Sequence, residues 1–265
     1  MKFTVLTLFP EILRAYFESS IMAKAVQKGI IACDLVNIRD FALDKHHKCD
    51  DSPYGGGAGQ LMLTEPLDRA LKSVNAGRKR VVYLTPSGKP FTQKKAQELS
   101  SLDEIVFICG RYEGIDQRII DFYVDDEISI GDYVMSSGEV ACEVVIDTVY
   151  RLVNGVISSE SLIEESYSDG LLEYPQYTRP PVYNGMKVPE VLLSGNHENI
   201  RKWRLKKRIQ KTLRNRPDLI WNAKLNGQLS LEAQKMIEEI TENTSVFAQI
   251  GGFSTLCSSS HSILK

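Results

Sequence analysis

Three apolar runs in this chain end in the same way, and together they restrict its fold more than any other feature. Val81-Val82-Tyr83-Leu84 runs into Thr85-Pro86-Ser87-Gly88, and Ile105-Val106-Phe107-Ile108-Cys109 into Gly110-Arg111-Tyr112-Glu113-Gly114. Ile128-Ser129-Ile130 runs into Gly131-Asp132-Tyr133-Val134-Met135-Ser136-Ser137-Gly138-Glu139. Each is a β-rich stretch broken by Gly, Pro or Ser, with helical periodicity between them, the pattern of parallel strands carrying loops at their C-terminal ends. Open α/β sheets bind ligands just outside those ends. Three such loops at one edge would form a pocket lined largely by backbone N–H and C=O groups, suited to a small polar cofactor.

The rest of the chain alternates in the same sense. Residues 3–9 read as a strand, and a helix is expected from Pro10 to near Gly29, with Pro in its first turn. A second strand is expected over Ile31–Ile38. Residues 41–60 form a long polar, glycine-rich loop, and unstructured loops of that length are usually functional. Helical patterns at 64–76 and 92–100 separate the strands, and Val140–Val153 reads as a buried helix ending at Asn154-Gly155. Residues 158–170 read as a flexible, acidic linker between an α/β domain, 1–157, and a small mainly helical domain, 171–244. Two helices are expected in the latter, one starting near the cap candidate Asn196 and one after Ser230, with Leu229, Ala233, Met236, Ile237 and Ile240 on one face. The tail 245–265 has weak helical character.

At 265 residues, 43% hydrophobic and 25% charged, the chain has the composition of a soluble globular protein. No apolar run approaches the roughly 18–20 residues of a membrane span, and Met1-Lys2-Phe3-Thr4-Val5-Leu6 has no cleavage pattern of a signal peptide. Cys33, Cys49, Cys109, Cys142 and Cys257 lack CxxC spacing, which fits a reducing cytoplasm. The charge is uneven. From Glu198 to Arg216 nine basic residues face one acid, so that segment is +8 and leaves −10 for the rest of a chain whose net charge is −2. With Trp203 interleaved, this is the composition of a nucleic-acid contact, since phosphate neutralisation dominates affinity and aromatics stack on unpaired bases. The plain alternative is a solvated helix face.

Two tempting motifs fail on spacing. Tyr54-Gly55-Gly56-Gly57-Ala58-Gly59 lacks the Gly-Lys-Ser/Thr ending of a phosphate loop. His46, His47 and Cys49 lie within four residues, where adjacent side chains on an extended chain point apart and converge poorly on a metal. No metal ligands are assigned.

Five blocks carry a resemblance: FTVLTLFPEIL at 3–13, DDSPYGGGAG at 50–59, GRYEGIDQR at 110–118, IGDYVMSSGE at 130–139 and LLSGNHENIRKWR at 192–204. Together they resemble the bacterial tRNA (guanine-N1)-methyltransferases of the TrmD type, within the knotted SPOUT methyltransferases. The resemblance implies an α/β domain with a parallel sheet and a deep trefoil knot, which general rules of chain topology would not predict. It implies that S-adenosylmethionine is held around Tyr83, Leu84, Thr85, Gly110, Tyr112, Glu113, Ile130, Gly131, Asp132, Tyr133, Val134, Met135, Ser137 and Gly138. Ser137 stands where the family usually has glycine. The glycine-rich loop, Tyr54, Gly55, Gly56 and Gly57, is implied to meet the target guanine, and Asn196, His197, Arg201, Lys202, Trp203 and Arg204 the tRNA.

The implied reaction is methylation of N1 of the guanine at position 37, just 3′ of the anticodon. N1 carries a proton at neutral pH, so a general base is needed, and charge developing on O6 needs a cation or donors. Arg151 matches the family's arginine. The family's aspartate before a Ser-aromatic pair falls on Glu165, within Glu164-Glu165-Ser166-Tyr167; Asp169, after the pair, is the alternative. The resemblance further implies a homodimer whose active sites combine both subunits, and it suggests a magnesium requirement. Competing readings are a non-catalytic RNA-binding protein of this fold, and a SPOUT methyltransferase acting at another RNA site.

Overall fold

The computed structural model describes residues 1–158 and 165–242; part of the expected linker and the whole 245–265 tail, with Cys257, lie outside the described residues. The chain divides into two compact units, Met1–Ser159 and Glu160–Lys265.

The first unit is built on strands β1 (Lys2–Thr7), β2 (Ala32–Asn37), β5 (Arg80–Pro90), β6 (Glu104–Cys109) and β7 (Asp126–Ser129). They form one sheet in the order β2-β1-β6-β5-β7, and every pairing is parallel. Strands β1, β6 and the first half of β5 are buried on both faces, as the centre of a parallel sheet requires, while the edge strand β2 is only partly covered. Phe3, Val5, Val82, Leu84, Ile105 and Phe107 point to one side, against helices α1 (Pro10–Phe17), α2 (Ser20–Gln27), α4 (Gln93–Ser100) and α6 (Gly138–Tyr150). Leu6, Val81, Tyr83, Val106 and Ile108 point to the other, against α3 (Thr64–Ser73) and α5 (Gln117–Tyr123). The period-2 alternation of the sequence thus divides into two cores.

Several expected boundaries move. The helix expected from Pro10 to Gly29 is two helices, because the tandem serines interrupt it: Ser19 Oγ donates to Ala15 O at 2.5 Å and Ser20 takes φ +54°, the side-chain competition that serine offers a helix. Strand β5 is longer than the expected 81–84. It pairs with Ile128 of β7 through Leu84 and again through Lys89, so Thr85–Gly88 bulge out at the sheet edge. Helix α5 was not expected; Asp116 caps it by accepting from Arg118 N at 2.9 Å. The 41–60 loop is not wholly irregular, since β3 (Asp50–Asp51) and β4 (Leu61–Met62) pair antiparallel and make the glycine-rich stretch the tip of a small hairpin.

Among its described residues the second unit holds three principal helices rather than two, His197–Asn215, Pro217–Leu225 and Leu231–Glu242, preceded by a short helix, Glu190–Leu193, and a two-residue-per-strand hairpin, Val182–Tyr183 with Met186–Lys187. Pro217 ends the basic helix and opens the next at its first turn, a position proline favours. The caps are as the sequence predicts: Asn196 Oδ1 accepts from Asn199 N and Ser230 Oγ from Ala233 N, each at 3.1 Å. Leu171, Ile209, Ile220, Ala223, Leu229 and Ala233 form this unit's core. Phe107 is fully buried in the first unit; Phe107→Ala should lower its unfolding free energy by about 3–5 kcal/mol in a urea titration followed by circular dichroism.

Candidate functional site

Because all five strands of the sheet are parallel, their C-terminal ends share one edge, and the three sequence-predicted loops meet there. The bulge of β5, the turn after β6 and the stretch from Ile130 to Ser137 enclose a single cavity. Every residue predicted to hold the cofactor lines it except Asp132, which is exposed on the same loop. Arg111, Gly114, Ser129 and Ala141 also line it and were not anticipated.

Backbone approach shapes this cavity. Gly138 N donates to Gly110 O at 3.1 Å, and a Cβ on Gly138 would lie 2.8 Å from Gly110 N. Only glycine lets the first turn of α6 sit this close to the end of β6. A Cβ on Gly131, at φ +155°, would meet the Tyr133 ring at 2.4 Å. Ser137 takes φ −162°, an extended conformation open to any residue, so the serine in place of the family's usual glycine adds no backbone strain.

Beneath the loops lies a buried charge. Glu139 is fully buried; Thr7 Oγ1 donates to its Oε1 at 2.6 Å and Arg111 Nε approaches its Oε2 at 3.1 Å. The Arg111 guanidinium in turn lies 4.3 Å from the Phe9 ring centroid, a cation–π geometry. This chain of contacts ties β1, the loop after β6 and α6 together. The quoted motifs contain Arg111 and Glu139, but no local spacing pairs them with Thr7 across the sheet. Burial pushes the Tyr83 phenol up, and burial together with the adjacent Cys142 pushes the Cys109 thiol well above its ordinary range.

The glycine-rich hairpin tip is joined to the same loops. Glu113 N donates to Gln60 O at 2.9 Å and Met62 N to Gly114 O at 3.0 Å. Tyr54 is 99% exposed, and Gly55, Gly56 and Gly57 all take positive φ with open space around them. His47 Nδ1 lies 3.0 Å from Arg39 O, while Cys49 is buried in the core with its Sγ donating to His47 O at 3.5 Å.

The remaining predicted residues lie elsewhere. Arg151 caps the C-terminus of α6. That helix has 13 residues, and Ala141 in its first turn still lines the cavity, so Arg151 lies about 15 Å along its axis from its own chain's pocket. Glu165 and Asp169 belong to the second unit, where Asp169 accepts both terminal nitrogens of Arg208. On the basic helix His197 is the first residue, and Arg201 is held by Glu198 and Glu232. Lys202 reaches Glu198 at 3.4 Å. Trp203 lies 6.3 Å from the Tyr177 ring and Arg204 sits 4.7 Å over Tyr174, so aromatic faces and cations interleave in space as they do in sequence.

Gly138→Ala forces a methyl group into the Gly110 backbone. It should weaken S-adenosylmethionine binding at least tenfold by calorimetry, about 1.4 kcal/mol, while the unfolding midpoint moves by only a few degrees.

Comparison with known proteins gives the family. A family model described as tRNA (Guanine-1)-methyltransferase TrmD matches residues 1–222. A tRNA (guanine-N(1)-)-methyltransferase of Treponema denticola is 69% identical over 239 residues, covering 90% of this chain and 98% of that protein. Proteins of the same name from Treponema pallidum and Borreliella burgdorferi are 59% and 60% identical, covering 91% and 83% of this chain and 96% and 92% of their own. With its cavity, its motifs and this breadth of similarity, the chain belongs to the TrmD family of tRNA (guanine-1)-methyltransferases.

Proposed function

We propose that this enzyme transfers a methyl group from S-adenosylmethionine to N1 of guanine 37 of tRNA. The observation that carries the reading is the convergence of the predicted cofactor residues, Asp132 excepted, on one cavity at the C-terminal edge of a parallel sheet. The cavity fits the cofactor in kind. Gly110, Gly114, Gly131 and Gly138 are among its lining residues, and at Gly110 and Gly138 the packing of Tyr83 and of the Gly110 backbone leaves no room for a Cβ, which fixes the shape of the wall. S-Adenosylmethionine, when bound, supplies an activated methyl group on sulfur. The protein's part is positioning, worth roughly 7–11 kcal/mol at its upper reach, together with proton removal and charge stabilisation.

In this reading Glu165 accepts the N1 proton. Asp169 is the weaker candidate, because a guanidinium occupies both of its oxygens. Arg151, always protonated, stabilises negative charge developing on O6. Its distance from its own chain's pocket supports a homodimer with composite sites, in which one copy's cavity receives catalytic groups from the other. The outer face of α6 is suited to burial against a second copy, since Val140 and Val144, one turn apart, are 47% and 43% exposed. The trefoil knot implied by the family belongs to the same proposal. It is supported by the double pairing of β5 with β7 and the tight passage of α6 against β6. The basic helix supplies phosphate contacts to tRNA. Among the described residues no three His, Cys, Asp or Glu side chains are grouped as metal ligands, so magnesium is given no step. No described helix is long and apolar enough to cross a membrane.

Methyl transfer to an unmodified tRNA transcript, with the product nucleotide mapped by mass spectrometry, tests the assignment; a transcript lacking guanine 37 should accept nothing. Arg151→Ala should lower turnover about 10²–10³-fold and leave cofactor affinity within a factor of about two. Glu165→Gln should lower it about 10²–10⁴-fold. Equal losses of turnover and cofactor affinity in Arg151→Ala would contradict its role.

A further inference from the structure

Sequence reading treats residues 158–170 as a flexible tether, yet the described part that carries Glu165 is anchored. Ser168 donates to Glu165 O through both N (3.3 Å) and Oγ (2.8 Å). Tyr167 N donates to Leu171 O at 3.0 Å, and Glu173 N to Ser166 Oγ at 3.1 Å. Gly170 turns at φ +83° with its Cβ position 2.5 Å from Ala223 Cβ, so a larger residue would not fit. Leu171 and Leu172 are buried. Residues 165–173 therefore form a compact turn docked on the helical unit.

One side chain of the basic helix fastens that turn. Arg208 is buried, unlike most cations of its run. Its Nη1 donates to Asp169 Oδ2 at 2.8 Å, its Nη2 to Asp169 Oδ1, and its Nε to Leu172 O at 3.2 Å. One turn along, Thr212 Oγ1 accepts from Leu172 N at 2.9 Å while donating to Arg208 O. The guanidinium fork takes both carboxylate oxygens and a backbone carbonyl together, a geometry that a lysine cannot copy. Neither Arg208 nor Asp169 is left to contact RNA phosphate or guanine without breaking this arrangement.

We propose that Arg208, through Asp169, is a positioning residue for Glu165. It fixes the turn that presents the base to the helix that binds tRNA, so that substrate binding and base placement are one event. The inference rests on the reading of Glu165 as the base. Arg208 acts on the reaction only through the orientation of that carboxylate, and misplacement by about 1 Å is enough to cost roughly a hundredfold.

The test is single-turnover methyl transfer at saturating S-adenosylmethionine and tRNA, with tRNA affinity and thermal unfolding measured on the same full-length proteins. Arg208→Gln and Asp169→Asn should each slow transfer roughly 10–100-fold while tRNA affinity stays within about threefold. Arg208→Lys should recover part of the rate, and it serves as the comparison should Arg208→Gln fail to fold. The decisive arm is the combination E165Q/R208Q. It should be no slower than E165Q alone, because nothing remains to be positioned, whereas a merely structural role would add a further loss. A wild-type rate in Arg208→Gln and Arg208→Lys, a loss confined to tRNA affinity, or additivity in the double variant overturns the proposal. A wild-type rate in Glu165→Gln would instead remove the base assignment itself. An inactive Asp169→Asn beside a fully active Arg208→Gln would give the base role to Asp169.

Discussion

The approach of α6 to the end of β6 sets the geometry on which the site depends. Gly138 meets the Gly110 backbone closely enough to exclude any Cβ, and the next residue, Glu139, is driven into the protein with it. A carboxylate taken wholly out of water needs partners, because desolvation of an isolated charge costs far more than a fold can spare. Thr7 from β1 and Arg111 from the loop after β6 provide them. Glu139 thus ties the first strand, the central loop and the helix that closes the cavity. One wall of the cavity and the buried carboxylate come from the same short stretch, Ser136-Ser137-Gly138-Glu139.

Much of this organisation was legible in the chain. Alternation in Ile105-Val106-Phe107-Ile108 gave a strand buried on both faces, and the glycine punctuation located the loops that line the cavity. The caps at Asn196 and Ser230 were readable because side-chain capping is local chemistry. What escaped was non-local. Nothing near Arg111 says that its guanidinium will find Glu139 and the Phe9 ring. The split of the first long helix rests on a serine hydroxyl preferring a backbone carbonyl, a choice that helix propensity does not resolve. The second pairing of β5 with β7 depends on Gly88, where a Cβ would lie 2.5 Å from Ile128 N, a tertiary contact with no periodic signature. The helix Pro217–Leu225 is a different case, since Pro217 at its first turn is a local signal of its start.

The charge count of the basic helix overstated what it can offer to RNA. Of its nine cations, Arg201, Lys202, Arg208 and Arg216 have carboxylate partners within their own unit. Exposed pairs of this kind are worth little to stability, but each phosphate contact by such a residue competes with a carboxylate already in place. Glu198, the one acid of the run, is held down to about 2 by Arg201 and stays ionised through any physiological range. The salt dependence of RNA binding should therefore reflect fewer contacts than the formal charge implies.

Cys109 lies directly under the cavity, its Cα 3.0 Å from the position of a Cβ on Gly138. A thiolate there would be the strongest nucleophile close to an electrophilic methyl donor. Complete burial beside Cys142 pushes the thiol well above its ordinary range and so keeps the sulfur protonated, and a neutral thiol is a poor nucleophile. The same packing that shapes the pocket floor thereby spares the protein from self-alkylation by the reagent it would hold.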